Sequence, residues 1–167
     1  MPLCPALLAV LIGIALNGAF VAPALAVSEE DALGIALKNA RVPRVDAHNI
    51  RIEADEEGGE PVWSVEFDTH YGNYDFSVSR GNGRILDADY EVVDNEWVQA
   101  KPSRHVTEST VRQIVQGRVP GARASDIRVV REDERYEGHL FHHDIKYEFE
   151  VDARTGIITD WNADLRR

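Results

Sequence analysis

KYEFEVDARTGIITDW, residues Lys146 to Trp161, carries a strand–turn–strand pattern. Tyr147, Phe149 and Val151 alternate with Glu148, Glu150 and Asp152, the period of a strand with one apolar face and one wet face. Arg154-Thr155-Gly156 breaks the run with turn chemistry, and Ile157-Ile158 resumes it. Upstream, NYDFSVSRGNGRILD (Asn73 to Asp87) repeats the pattern at a constant offset: Tyr74 for Tyr147, Phe76 for Phe149, Val78 for Val151, Gly83 for Gly156, Ile85 for Ile158 and Asp87 for Asp160. The chain therefore reads as one small unit used twice.

Working outward, the same order of elements precedes each of these stretches. Ser28 followed by Glu29, Glu30 and Asp31 is an N-cap with acidic residues in the first turn, where the helix dipole favours them. Ala32, Leu33, Ile35, Ala36, Leu37 and Ala40 form an apolar stripe at helical spacing, and Arg41 with Val42-Pro43 ends it. Thr107-Glu108 opens a second helix through Val111, Ile114 and Val115 toward Val119-Pro120, weakened by Gly117. After the first helix, alternation predicts strands over 48–53, 62–69 and 74–79, with a polar hairpin loop at 55–60 around Gly58-Gly59. After the second, strands are predicted over 126–132, around His139–His143 and from Lys146 on, with a loop at 134–138. A sheet apolar on one face needs a cover, and the helices are the elements that can supply it. The fold class is α+β: two repeats of a helix followed by an antiparallel β-meander, with the helices packed on the sheets. The first copy covers residues 27–92 and the second 105–167. Asp87 to Arg104 leads from one copy to the next, with 93–104 as the connecting segment, and Tyr90, Val92, Val93, Trp97 and Val98 argue for an extended segment that continues the sheet edge or hairpins back, not a free linker.

The first 26 residues carry no charged side chain, Ala6 to Leu16 is an apolar run, and Ala24-Leu25-Ala26 offers small residues where a signal peptidase cuts. Residues 1–26 are read as a signal peptide cleaved after Ala26, making the protein periplasmic or secreted. The alternative is an uncleaved N-terminal membrane anchor. After cleavage no stable membrane insertion is expected. The one cysteine, Cys4, lies in that segment, so the mature part has neither a disulfide nor a thiol nucleophile. A net charge of −11 disfavours nucleic acid and anionic membrane as partners and leaves cations and basic protein surfaces.

With these residues in hand the chain resembles the PepSY domain family. The carrier is Tyr147-Glu148-Phe149-Glu150-Val151-Asp152-Ala153-Arg154-Thr155-Gly156-Ile157-Ile158. In the first copy Ser79 stands for the Asp and Arg80-Gly81-Asn82 for Ala-x-Thr, while Gly83 is kept. The resemblance implies a secreted or envelope, non-catalytic module, with protein binding and inhibition or regulation of a peptidase as the expected role and an envelope peptidase or other envelope protein as partner. It implies no catalytic residue and no cofactor. Tyr147, Phe149 and Val151 are expected in the core. Asp152 is expected to accept backbone N–H groups of the turn, and Gly156 to supply a positive φ; the motif is then a folding signature.

Other candidates remain beside it. His139, His142 and His143 are the one histidine cluster and the candidate metal ligands of a small-ligand or metal-binding alternative. On a strand, His139 and His143 share a face roughly 13 Å apart while His142 faces the other way, so solvated hairpin histidines are the competing reading. The acidic run Glu53, Asp55, Glu56, Glu57 and Glu60 lacks calcium-loop spacing. The pairs Asp87/Asp89 and Asp160/Asp164 read as surface charges. Trp161 is a candidate contact residue, with core as its default. No nucleophile–base arrangement, phosphate loop or His-Glu-x-x-His motif is present, so no enzyme is expected.

Overall fold

The computed structural model describes residues 26–166; the proposed signal peptide therefore lies, but for Ala26, outside the described residues. Helix α1 (Glu29–Ala40) is followed by strands β1 (His48–Glu57), β2 (Glu60–Asp68), β3 (Gly72–Ser79) and β4 (Ile85–Val92). A short helix α2 (Asn95–Gln99) leads to helix α3 (Glu108–Gln116), then β5 (Arg128–Glu132), β6 (Arg135–His142), β7 (Ile145–Asp152) and β8 (Ile158–Leu165). The strands form one eight-stranded antiparallel sheet in the order β1-β2-β3-β4-β8-β7-β6-β5. One sheet, not two, is thus the platform, and the few short helices lie on it.

The stretches Asn73–Asp87 and Lys146–Trp161 fall in the β3–β4 and β7–β8 hairpins, which supply the four central strands. Both turns close the same way. Ser79 and Asp152 donate their N–H groups to the carbonyls of Arg84 and Ile157, and Gly83 and Gly156 donate back to the carbonyls of Ser79 and Asp152. Gly83 and Gly156 sit at φ of 74° and 75°, the left-handed region open to glycine. Each also lies under a helix: a Cβ would come 2.9 Å from Ile35 Cδ1 at Gly83 and 3.2 Å from Ile114 Cδ1 at Gly156.

Alternation places Val65, Phe67, Tyr74, Phe76, Val78, Ala88, Tyr90, Phe149, Val151, Trp161 and Ala163 on the buried face. There α1 packs against β2 and β3, and α3 against β5. Leu33 and Val115, one from each helix, belong to a single hydrophobic cluster. An aromatic row crosses the seam: Phe67 stacks on Tyr74 at 4.7 Å, Tyr74 lies 5.2 Å from Tyr90, and Tyr90 lies 6.3 Å from Trp161. Trp161 is 1% exposed, so it is core and not a contact residue.

Several expected boundaries are corrected. The polar loop at 55–60 is mostly strand: only Gly58 and Gly59, at φ of 62° and 80°, turn the β1–β2 hairpin. Its carboxylates are tolerated because β1 is an edge strand whose side chains reach water. The loop predicted at 134–138 is likewise strand from Arg135 on. α3 stops at Gln116, because Gly117 caps it, short of Val119-Pro120. Residues after Asp87 form the rest of β4, which pairs with β8 at the sheet centre and not at an edge. Within the connection, α2 is capped by Asp94 and Trp97 stacks on Tyr71 at 3.9 Å.

Candidate functional site

The histidine candidates do not converge. His139 is exposed and lies between Arg128 and Glu148 in the ladder. His142, at the end of β6, turns to the helix side, where a Cβ on Gly121 would stand 3.4 Å from its Nε2. His143 occupies the two-residue turn with Asp144, at φ of 48° and 65°. The rings of His142 and His143 touch at 4.0 Å, but strand alternation sends His139 to the opposite face. Among the described residues no three His, Cys, Asp or Glu side chains are gathered to hold a metal ion.

The motif residues sit in strand and turn. Phe149 and Val151 are buried and Tyr147 half-buried. Asp152 Oδ1 accepts from the Thr155 N–H at 2.7 Å, the Thr155 hydroxyl at 2.6 Å and the Arg154 N–H at 3.2 Å. Ser79 does part of this work, accepting from the Gly81 N–H at 3.3 Å. Arg154 reaches outward: its guanidinium donates to Gln99 Oε1 and to the carbonyls of Val98, Gln99 and Lys101. The connection is therefore fastened to the β7–β8 turn.

The sheet face turned away from the helices carries a polar row in register across five strands, with carboxylates on four of them. Glu66 stands opposite Asp75, Asp75 opposite Asp89, Asp89 opposite Asn162, and Asn162 opposite Glu148. One row on, Glu91 faces Asp160, Asp160 faces Glu150, and Glu150 faces Glu137. Arg51 and Arg135, on the outer strands β1 and β6, pair with Glu66 and Glu137, and Lys146 near the start of β7 pairs with Glu148. Among the described residues no ion pair reaches Asp75, Asp87, Asp89, Glu91 or Asp160. Burial pushes the Asp75 and Asp160 carboxyls above the ordinary range, with Glu66 and Glu150 adding to it. Burial, then Glu57 and Asp164, pushes Asp87 up to about 6. The acidic pairs read as unrelated surface charges thus form one field, because β4 and β8 are neighbours. Glu148, Glu150 and Asp152 already signal a wet acidic face; the cross-strand pairing that concentrates it comes from topology.

A second feature lies on the helix side. A cavity of about 640 Å³ opens between the C-terminal ends of α1 and α3, bounded by the β3–β4 and β6–β7 turns. Arg118 lines it and is 8% exposed, yet its Nε and Nη1 have no hydrogen-bond partner. The sequence gives little sign of this residue, which looks like any polar position after a helix stop.

The described residues thus form an antiparallel sheet with helices on one face and a carboxylate field on the other. The chain belongs to the PepSY family, the peptidase propeptide and YPEB domain, which matches residues 26–89 and again 106–161. An uncharacterized protein of Streptococcus pyogenes serotype M6, Spy1430, is 31% identical over 68 residues, or 41% of this chain and 52% of that protein. The chain thus spans about half the length of that curated relative. Among solved structures, the C-terminal domain of YpeB from Bacillus megaterium aligns with 84% of this chain and 64% of its own length, with a TM-score of 0.52 at 10% identity. That likeness is one of fold alone.

Proposed function

We propose that the protein is a non-catalytic, exported binding module that restrains or regulates a peptidase, built as two tandem copies of one unit. The observation that carries the binding role is the uncovered acidic sheet face. Like charges directly opposite one another on a sheet are destabilising, and among the described residues Asp75, Asp89, Glu91 and Asp160 on β3, β4 and β8 have no ion pair. A basic partner surface laid on this face relieves that repulsion, and the rigid sheet beneath presents the carboxylates without an ordering cost. The family's association with peptidase propeptides supports the choice of a peptidase as partner. Support for two copies comes from the two separate family matches and from parallel anchors. Trp63 Nε1 donates to the Val27 carbonyl before α1, and the Tyr136 hydroxyl donates to the Val106 carbonyl before α3. Export rests on the apolar, uncharged start of the sequence.

The test is peptide hydrolysis by an envelope extract of the source cell, with and without added purified protein. Inhibition is expected, and it should weaken several-fold between 0.1 and 0.5 M salt as screening shortens the reach of the carboxylates. The triple variant Glu66→Gln, Asp89→Asn, Glu148→Gln should lose it. Unchanged hydrolysis would sink the peptidase reading, and a fully active triple variant would move the contact off this face.

A further inference from the structure

In a chain of net charge −11, the cavity between α1 and α3 is lined by Lys38, Arg41, Arg84, Arg118, His142 and His143, and by no Asp or Glu. Arg118 is its centre. It follows the Gly117 cap of α3, and its own carbonyl accepts from Asn39 Nδ2 on α1 at 3.1 Å, which fixes the backbone between the two helix ends. Its side chain makes no ion pair among the described residues. A buried guanidinium without a counter-ion is costly, and natural folds keep such groups paired. Asn39 Oδ1 and His142 Nε2, which line the same cavity, are also buried without partners. Three unsatisfied polar side chains from three separate segments therefore meet at one place.

Helix chemistry accounts for only part of this. Cations near the C-terminal ends of α1 and α3 complement the helix dipoles. Arg41 does so at close range: a Cβ on Gly117 would lie 2.8 Å from its Nη2. The unpartnered Nε and Nη1 of Arg118, however, donate to no helix carbonyl. The Nε–H and Nη2 edge of a planar guanidinium is a fork that matches a carboxylate, and Nε of Arg118 has no partner in the fold. The remaining wall is apolar, with Ile35, Ile85, Tyr147 and Trp161 facing the space. The volume lies within the range of small-molecule sites.

We propose that this cavity binds a small amphipathic carboxylate, seated on the Arg118 guanidinium with its apolar body against Ile35, Ile85, Tyr147 and Trp161. A fatty acid and the C-terminal end of an apolar peptide share this chemistry. The site is on the helix side of the sheet and independent of the acidic face.

The experiment is calorimetric and NMR titration of the purified protein with octanoate and with N-acetyl-Leu-Leu, each compared with its uncharged amide. Saturable binding of at least one acid, tenfold or more tighter than its amide, is expected, together with a shift of the Arg118 Nε–H resonance. Octanoate alone points to a fatty acid, the peptide acid alone to a peptide end, and both to the shared carboxylate. Arg118→Gln should abolish the preference for acid over amide, while Arg51→Gln, on the far side of the sheet, should leave it unchanged. If Arg118→Gln fails to fold, the acid-to-amide comparison on the unaltered protein still decides. Equal binding of acid and amide, no binding of either acid, or shifts confined to the acidic face overturns the proposal.

Discussion

Single residues carry much of the geometry. Gly138 on β6 stands opposite Phe149 on β7, and the Phe149 ring and the Arg128 carbonyl fill the space a side chain would take. Gly138→Ala forces both the ring and the β5–β6 ladder to move, and overpacking of this kind costs about 2–3 kcal/mol. Urea unfolding should show that loss with an unchanged m-value; a midpoint equal to that of the unaltered protein would mean that the ring and the β5–β6 ladder both shift at no cost. Asp152 acts through hydrogen bonds instead. Its Oδ1 gathers three donors of the β7–β8 turn, and Asp152→Ala leaves them to water or to nothing. A loss of about 1–2 kcal/mol is expected in the same assay. Ser79 holds fewer such bonds at the β3–β4 turn, so Ser79→Ala should cost less at that turn.

At the scale of elements, α2 is the piece that cannot stand alone. Five residues make too short a helix to persist without tertiary contacts. What holds it is the Tyr71–Trp97 stack and the Arg154 guanidinium, which donates to Gln99 Oε1 and three carbonyls. Arg154→Ala should therefore speed amide exchange across residues 95–101 by tenfold or more while leaving β3, β4, β7 and β8 protected. Uniform acceleration would show that the connection is part of the global core. The elements themselves are largely readable in the chain. Ser28 and Thr107 mark the helix starts, the Tyr-x-Phe-x-Val runs mark β3 and β7, and Gly83 and Gly156 mark their turns. The alternation of Ala88, Tyr90 and Val92 with Asp87, Asp89 and Glu91 also marks a strand. Its place at the centre is not readable, since pairing with β8 depends on a partner in the far half of the chain. The candidate site suffers most from that blindness. Arg118, Asn39 and His142 come from three segments, and only the assembled sheet brings them to one cavity. The histidines, by contrast, are neighbours in sequence that alternation sends to opposite faces.

The whole molecule turns on the β4–β8 pairing. It merges eight strands into one sheet, gives Trp161 and Tyr90 a shared core, and brings Asp87, Asp89 and Glu91 beside Asp160 and Asp164. The hydrophobic gain on one face is therefore tied to electrostatic repulsion on the other. The cost depends on pH. Asp87 has a folded-state pKa of about 6 against an ordinary value of 3.8, so between those limits the native state binds more protons than the unfolded chain. Stability then falls as pH rises through this window: the penalty is absent below 3.8 and complete above about 6. Asp75 and Asp160 shift in the same direction. Asp31 and Asp126, held low by hydrogen bonds from Ser28 and Arg123, work the other way and lose their contribution only below about pH 4. The urea midpoint should accordingly be higher at pH 5 than at pH 7. Asp87→Asn should raise stability at pH 7 by on the order of 1–2 kcal/mol, after allowance for solvent screening, and flatten the slope between pH 4 and 6. A midpoint that rises from pH 5 to pH 7, or an Asp87→Asn variant less stable at pH 7, would show that cations in solution already neutralise the field. Added salt provides the matching control, since screening should stabilise the unaltered protein at pH 7 more than at pH 5.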